Sequence, residues 1–303
     1  MHFLNLIRWK NLLIIALAQL LVKYALLIPF NAEIMLNWFG TALLVAATLC
    51  LASAGYIIND ILDVETDMVN RPEKVLIGKK ITEKNAYNWF IALNVIGILI
   101  GFYLSYLVGK NQFFSLFVLV SALLYIYSSY LKQMVLVGNV IISLVVGLSI
   151  LIVGFFELIP AIDAQNRASQ LFFFQILTDY ALFAFTINLV RELAKDIEDI
   201  DGDHKAGMNT LPIAIGRDRS RKVLFAVSLL PLGGTIYYVT TYLYKQPVAV
   251  VYFLLCIIAP LLYISIKAFS AKTKKDFRNI SNLLKLVMLT GILSLLLYPF
   301  ILK

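Results

Sequence analysis

Residues Leu43 to Asp67 read LLVAATLCLASAGYIINDILDVETD. The first sixteen carry no charge, and the last nine hold four acids. Extended back to position 37, the apolar part reaches the length of about 20 residues that a helix needs to cross a bilayer core. Comparable runs lie near 11-30, 87-108, 112-131, 135-157, 171-190, 222-243, 247-268 and 283-302. Composition agrees: 61% of the 303 residues are hydrophobic, 15% are charged and the mean hydropathy is +0.85, against roughly half and a quarter in soluble domains. Barrel strands would alternate over short segments, whereas these runs are continuously apolar, and a helix satisfies its backbone groups without water. The expected fold class is therefore all-α, a polytopic membrane protein built as a bundle of about nine transmembrane helices.

Twenty-one of the 26 lysines and arginines fall at the N-terminus or in and beside the connections after spans two, four, six and eight. By the positive-inside rule the N-terminus is cytoplasmic and the C-terminus outside, in a multi-pass protein of the plasma or inner membrane. The net charge of +8 is then mostly a topology signal, and no nucleic-acid partner is expected. No Gly/Ser linker or low-complexity tract interrupts the chain, so residues 1-303 are expected to form a single integral-membrane domain. No small-residue cleavage site follows the first apolar run, which is expected to stay as an anchor. Cys50 and Cys256, each embedded in an apolar run, read as core residues without redox work, and His2 and His204 cannot make a metal site by themselves.

The acids of NDILDVETD have an echo. Asp60, Asp63 and Asp67 follow the pattern D-x2-D-x3-D, and Asp196, Asp199 and Asp203 repeat that spacing 136 positions later. With Glu65, Glu198 and Asp201, these two segments hold nine of the 18 acids in the chain. On an α-helix the offsets turn by about 0°, 300° and 340°, so each trio shares one face; Asn59 joins the first, and Glu65 lies off it and reads as solvated. Like charges on one face destabilise a helix, and a divalent cation offsets that repulsion. Carboxylate and amide oxygens suit Mg²⁺, which binds through one or two carboxylates plus substrate phosphates. A single charge run at a membrane boundary is ordinarily a solvated loop, but a loop has no need of a repeated register. A cation-coupled transporter is the rival from another class; its acids belong at mid-membrane depth, whereas these sit at span ends and only Lys23, Glu157 and Asp179 stand out inside the spans.

Basic residues flank both faces: Arg71 and Lys74 follow the first, Arg191 and Lys195 precede the second, and Lys205 follows it. Each can neutralise diphosphate oxygens, arginine bidentately. Lys132 is the sole basic residue in the connection after span four, and with Tyr127 and Ser128 in YSSYLK it offers a third side to a cytoplasmic site. Interfacial anchoring explains Lys132 equally well. A polyanionic head at the mouth of an apolar bundle, with a tail in lipid, describes an isoprenoid diphosphate. Mg²⁺ stabilises the leaving pyrophosphate, the bundle wall shields an allylic cation from water, and Tyr56, Tyr125 and Tyr127 offer it π faces.

Together these residues resemble the UbiA-type intramembrane prenyltransferases. Asn59 to Asp67 is similar to that family's N-D-x-x-D-x-x-x-D and Asp196 to Asp203 to its D-x-x-D-x-x-G-D, in the family's order, and the likeness runs over essentially the whole chain, including YSSYLK ahead of Gly138 and Asn139. The resemblance implies Mg²⁺-dependent transfer of a prenyl group from its diphosphate to a membrane-associated, lipid-like acceptor. It assigns Asn59, Asp60, Asp63 and Asp67 on one side and Asp196, Asp199 and Asp203 on the other to the metal. Asp63, Asp199 and Lys132 are then the expected catalytic residues, and Asn59, Arg71, Tyr127, Ser128, Lys132, Arg191 and Lys195 the expected substrate contacts.

The run Arg191 to Pro212 is most similar to the digeranylgeranylglyceryl phosphate synthase branch, whose donor is geranylgeranyl diphosphate and whose acceptor is a prenylglycerol phosphate of ether-lipid synthesis. Homogentisate prenyltransferases and chlorophyll synthases carry similar second motifs, so an aromatic acceptor of quinone, tocopherol or chlorophyll type is the alternative. Where the family commonly continues Asn-Arg-Pro-x-Arg-Pro, this chain has Asn70, Arg71 and Pro72 followed by Glu73, Lys74 and Val75. No sequence feature names the base that takes the acceptor's proton; Glu192, Glu198 and Asp201 are candidates with no better standing than solvated acids.

Overall fold

The computed structural model describes residues 2–301, and among them nine helices are long and apolar enough to cross a membrane. They are α1 (Trp9–Phe30), α2 (Trp38–Leu62), α3 (Glu83–Leu107), α4 (Asn111–Ser129), α5 (Val137–Ala161), α6 (Arg167–Lys205), α7 (Arg217–Leu243), α8 (Pro247–Ser270) and α9 (Lys274–Phe300). Each coincides with a run located in the sequence, and the all-α, multi-pass reading holds. One boundary differs widely: the apolar run of α6 stops at 190, but the helix continues to Lys205. Past that point Leu193, Ala194 and Ile197 keep a helical period and are buried, so an apolar stripe carries the helix on after its other faces become charged.

The chain divides into two compact units, Met1–Lys132 with Leu148–Leu177, and Gln133–Gly147 with Thr178–Lys303. In the first, α3 packs along α2 and α4 through glycines spaced four apart. A Cβ on Gly97 would stand 2.9 Å from the Leu51 side chain and 3.3 Å from the Ala47 carbonyl, and one on Gly101 would stand 2.4 Å from the Phe117 ring. Small residues thus let these backbones approach where lipid supplies no hydrophobic drive. The same unit encloses a polar knot. Lys23 Nζ lies 2.7 Å from Glu157 Oε1 and also donates to Thr41 Oγ1 and the Leu36 carbonyl, while the Leu36 N–H donates to Glu157 Oε2 at 3.0 Å. Both charges are out of contact with solvent, Lys23 at 2% and Glu157 at 0% exposure.

In the second unit, the latter part of α6 packs with α7, α8 and α9 around a buried apolar core that includes Leu224, Ile257, Leu261, Leu284 and Val287. Pro260 in α8 has no N–H for the Cys256 carbonyl four residues back. Thr290 Oγ1 donates to that carbonyl at 3.0 Å, and the π-helical turn Leu254–Ile258 lies just before the proline. This is the repair by a neighbouring hydroxyl that makes proline tolerable in lipid. α9 starts on a capping box, with Thr273 and Asp276 each accepting from the other's backbone N–H.

Candidate active site

Each motif takes its form from the helix that carries it. In the first unit, α2 delivers Asn59 and Asp60 on its last turns and breaks at Asp63, whose backbone lies at φ −97° and ψ 5°, before the short helix Val64–Asn70. The i to i−4 bonds nonetheless continue, from Asp63 N–H to the Asn59 carbonyl at 2.9 Å and from Asp67 N–H to the Asp63 carbonyl at 2.8 Å. The register expected of one helix survives the break.

Asp63 is the hub of this cluster. Asn59 Nδ2 donates to one of its oxygens at 2.7 Å and Lys132 Nζ to the other at 2.5 Å, with Lys132 only 10% exposed. Lys132 stands in the short 3₁₀ turn Leu131–Gln133, which follows as soon as α4 ends at Ser129. Asp60 is held by Arg8, 2.7 Å away, whose guanidinium lies 4.9 Å from the Tyr56 ring centroid. The face of Tyr56 expected to meet a substrate cation therefore carries a protein cation. Asp67 is partly buried and faces the charges of Asp63 and Asp60; against Arg8 and Arg71, this burial first and then the two charges push its carboxyl up to about 6. Ser128 is buried and Tyr127 half-buried, Tyr125 packs beside Phe90, and Glu65 is exposed as expected.

In the second unit, α6 runs unbroken through Asp196, Asp199 and Asp203. Asn139 Nδ2 donates to Asp196 Oδ2 at 2.8 Å, Ser143 Oγ to the Asn139 carbonyl at 2.6 Å, and Asn188 Nδ2 to Ser143 Oγ at 3.2 Å. Asp196 is thus one end of a chain of buried polar groups that fixes its carboxylate. Arg191 and Lys195, expected on a diphosphate, both bind Glu192, at 2.9 and 2.7 Å. Glu198 is not solvated: it is 3% exposed and accepts from Arg278 Nε at 2.8 Å. Asp201 is exposed but pairs with Lys274 at 2.7 Å. Both acids off the shared face therefore tie the start of α9 to α6, and Glu192 is likewise ion-paired and mostly buried, which corrects the reading of Glu192 and Glu198 as solvated acids, while Asp201 stays exposed to solvent as expected.

Arg8, Asn139, Lys274 and Arg278 are partners that spacing did not single out. Arg8 is 52 positions from Asp60, and its charge is indistinguishable in sequence from the topology signal. Among the described residues, no three His, Cys, Asp or Glu side chains are gathered as a ready metal site. The donor set still fits a hard divalent ion: all the oxygens are carboxylate or amide, and Asp67, raised first by burial and then by the charges of Asp63 and Asp60, regains its charged form most easily beside an added cation.

The profile of the UbiA prenyltransferase family matches residues 12–289. The chain belongs to that family. It is a prenyltransferase and an integral multi-pass membrane protein. A digeranylgeranylglyceryl phosphate synthase of Korarchaeum cryptofilum is 31% identical over 258 residues, covering 82% of this chain and 81% of that protein. A solved structure described as digeranylgeranylglyceryl phosphate synthase in membranes superposes with a TM-score of 0.63 at 21% identity, covering 97% of this chain and 98% of the other. A UbiA homologue of Archaeoglobus fulgidus bound to GPP and Mg²⁺ gives a TM-score of 0.58 at 16% identity, over 97% of this chain and 99% of that one.

Proposed function

We propose that this UbiA-family prenyltransferase moves a geranylgeranyl group from its diphosphate to the hydroxyl of a prenylglycerol phosphate, with Mg²⁺ held by Asn59, Asp60, Asp63 and Asp67 and by Asp196, Asp199 and Asp203. The observation that carries this reading is the pairing of Lys132 with Asp63: a nearly dry ammonium beside a motif carboxylate suits a substrate that arrives as an anion with its counter-cation. The Korarchaeum relative supports the acceptor class, and the Archaeoglobus homologue with GPP and Mg²⁺ supports the donor class and the metal. The basic residues argue for carboxylates on the cytoplasmic face.

When bound, Mg²⁺ supplies neutralisation of the charge that develops on the departing diphosphate. Lys132 and Arg71 donate to its oxygens, joined by Arg191 and Lys195 once they leave Glu192. The acceptor oxygen bonds to C1 of the prenyl chain as the C1–O bond to diphosphate breaks, the bonding electrons leave with diphosphate, and the hydroxyl proton passes to the released diphosphate or to water, giving the ether. Transfer is tested by supplying labelled geranylgeranyl diphosphate to sealed vesicles of either orientation, with glycerol-phosphate and aromatic acceptors, with and without EDTA. The expected product is a labelled ether lipid, made on the cytoplasmic side and lost with EDTA. Product only from an aromatic acceptor overturns the acceptor, and no product from any acceptor overturns the reading.

Arg8 and the proton compete with the cation at the first motif. In magnesium titrations by calorimetry without donor, Arg8→Ala binds Mg²⁺ about threefold to fivefold tighter, the scale of a partly exposed ion pair. Because Asp67 is pushed up to about 6, its proton returns as pH falls through that value, and wild-type affinity drops between pH values of about 7.5 and 5.5. Affinity indifferent to both changes removes Asp60 and Asp67 from the ligand set.

A further inference from the structure

The two motifs repeat their carboxylates but not their amide. In the first, Asn59 stands immediately before Asp60, and its Nδ2 donates to Asp63 Oδ2 at 2.7 Å. The second has Lys195 in that place, and Lys195 is engaged with Glu192. The missing amide comes from another helix. Asn139, on the first turn of α5 and 57 positions upstream, donates Nδ2 to Asp196 Oδ2 at 2.8 Å. Among the described residues no second donor meets this carboxylate. Asn139 therefore occupies one oxygen of Asp196 and leaves Oδ1 for a cation.

Asn139 is itself held. Ser143, one turn further along α5, donates to the Asn139 carbonyl at 2.6 Å, and Asn188 of α6 donates to Ser143 Oγ at 3.2 Å; all three residues are buried. The entry to α5 is fixed as well. The Asn209 N–H, in the loop that follows α6, donates to the Gln133 carbonyl at 2.9 Å. Leu136 then turns the chain at φ 62°, a left-handed conformation that a leucine keeps only where its surroundings impose it. Packing does not account for these polar groups. Hydrogen bonds between helices in lipid add little to stability, and an aliphatic side chain would fill the seam between α5 and α6 with no polar atom to satisfy. What an amide supplies and leucine does not is a fixed donor to a carboxylate, which sets the direction in which the other oxygen is offered.

We propose that Asn139 is a positioning residue of the second motif, the counterpart from α5 of the bond that Asn59 makes to Asp63: it orients Asp196 so that the carboxylate is set for Mg²⁺ before the metal arrives. The proposal rests on the reading of Asp196, Asp199 and Asp203 as metal ligands. Hydrogen-bond partners that orient a metal's ligands are worth about 10–100-fold in affinity. Asn139→Leu keeps much of the bulk and removes the donor, and Asn139→Ala removes the donor without adding a branched chain. Ser143→Ala cuts the same seam one turn away and leaves the Asn139–Asp196 bond in place.

In magnesium titrations by calorimetry without any prenyl substrate, Asn139→Leu and Asn139→Ala each bind Mg²⁺ at least about tenfold more weakly than wild type, approaching Asp196→Ala, while Ser143→Ala shifts affinity less than about threefold. Prenyl transfer by the Asn139 variants needs correspondingly more Mg²⁺ for its half-maximal rate, and saturating Mg²⁺ restores kcat to within about threefold of wild type. A role confined to packing gives a different pattern: the thermal midpoint in EDTA falls in the Asn139 and Ser143 variants alike, and added Mg²⁺ restores no activity. Unchanged affinity in both Asn139 variants, or equal losses in the Asn139 and Ser143 variants, overturns the proposal. Asp196→Ala separates this inference from the reading beneath it. Wild-type affinity in Asp196→Ala breaks the metal reading of the second motif, whereas weakened binding there with wild-type binding in Asn139→Ala leaves that reading and removes Asn139.

Discussion

Asp63→Ala and Asp199→Ala each lower kcat/KM for prenyl transfer by at least about a thousandfold, the upper end of what one well-placed electrostatic group contributes. Asp63 takes donors from Asn59 and Lys132 at once, so its removal strips a proposed metal ligand and releases the ammonium placed to meet diphosphate. Asp63→Asn separates the two effects: it keeps the shape and an acceptor for Lys132 but loses the charge, and it is expected to be nearly as inactive as alanine. Asp199 tests the second trio, and here the double variant is informative. If both motifs serve the same diphosphate, Asp63→Ala/Asp199→Ala falls no more than about tenfold below the worse single variant, because groups acting as a unit are far from additive. Independent, multiplying losses would instead mean separate tasks. Membrane insertion and helical circular dichroism stay at wild-type levels. Either single alanine variant retaining a tenth of wild-type activity removes its aspartate from the proposed site.

The spans were legible because lipid leaves so few options: a run of about 20 apolar residues with no water to satisfy its backbone must be helix. The paired D-x2-D-x3-D register was legible for a similar reason, since repeated like charge on one face has few uses. What the sequence concealed lies where tertiary partners decide. Glu198 and Asp201 look like neighbours of the second carboxylate trio, yet Arg278 and Lys274, more than 70 positions on, claim them for holding α9 to α6. Arg8 looks like a cytoplasmic anchor until the fold sets it on Asp60 and Tyr56. The break at Asp63 has no proline or glycine to announce it, and the reach of α6 to Lys205 was hidden because its last turns are charged on every face but one. The hydroxyl pairs of Tyr180 with Ser294 and of Tyr238 with Tyr298 were invisible for a further reason: among 16 tyrosines, nothing in spacing separates those that pair their hydroxyls from those that face lipid.

The largest loss of stability is expected at a position far in sequence from either motif. Glu157→Ala leaves Lys23 charged at 2% exposure with its carboxylate partner gone, and deprives the Leu36 N–H of its acceptor. Breaking a buried pair on one side costs about 3–5 kcal/mol, and at about 2–4 °C per kcal/mol for a domain of roughly the size of the first unit, its thermal midpoint falls by roughly 10 °C. Glu157→Gln still offers an oxygen to the Leu36 N–H and to Lys23, and its midpoint lies between alanine and wild type. Lys23→Met/Glu157→Leu removes both charges together and recovers most of the loss, because the cost of the single variant is the stranded charge and the worth of the intact pair is small. Thermal melts of the four proteins in detergent distinguish these outcomes. A Glu157→Ala midpoint equal to wild type means water reaches Lys23; a double variant as unstable as the single means the knot holds α1, α2 and α5 together through its hydrogen bonds rather than through charge balance. The first motif's carboxylates lie in the same unit, so the double variant, if stable, also retains wild-type magnesium affinity.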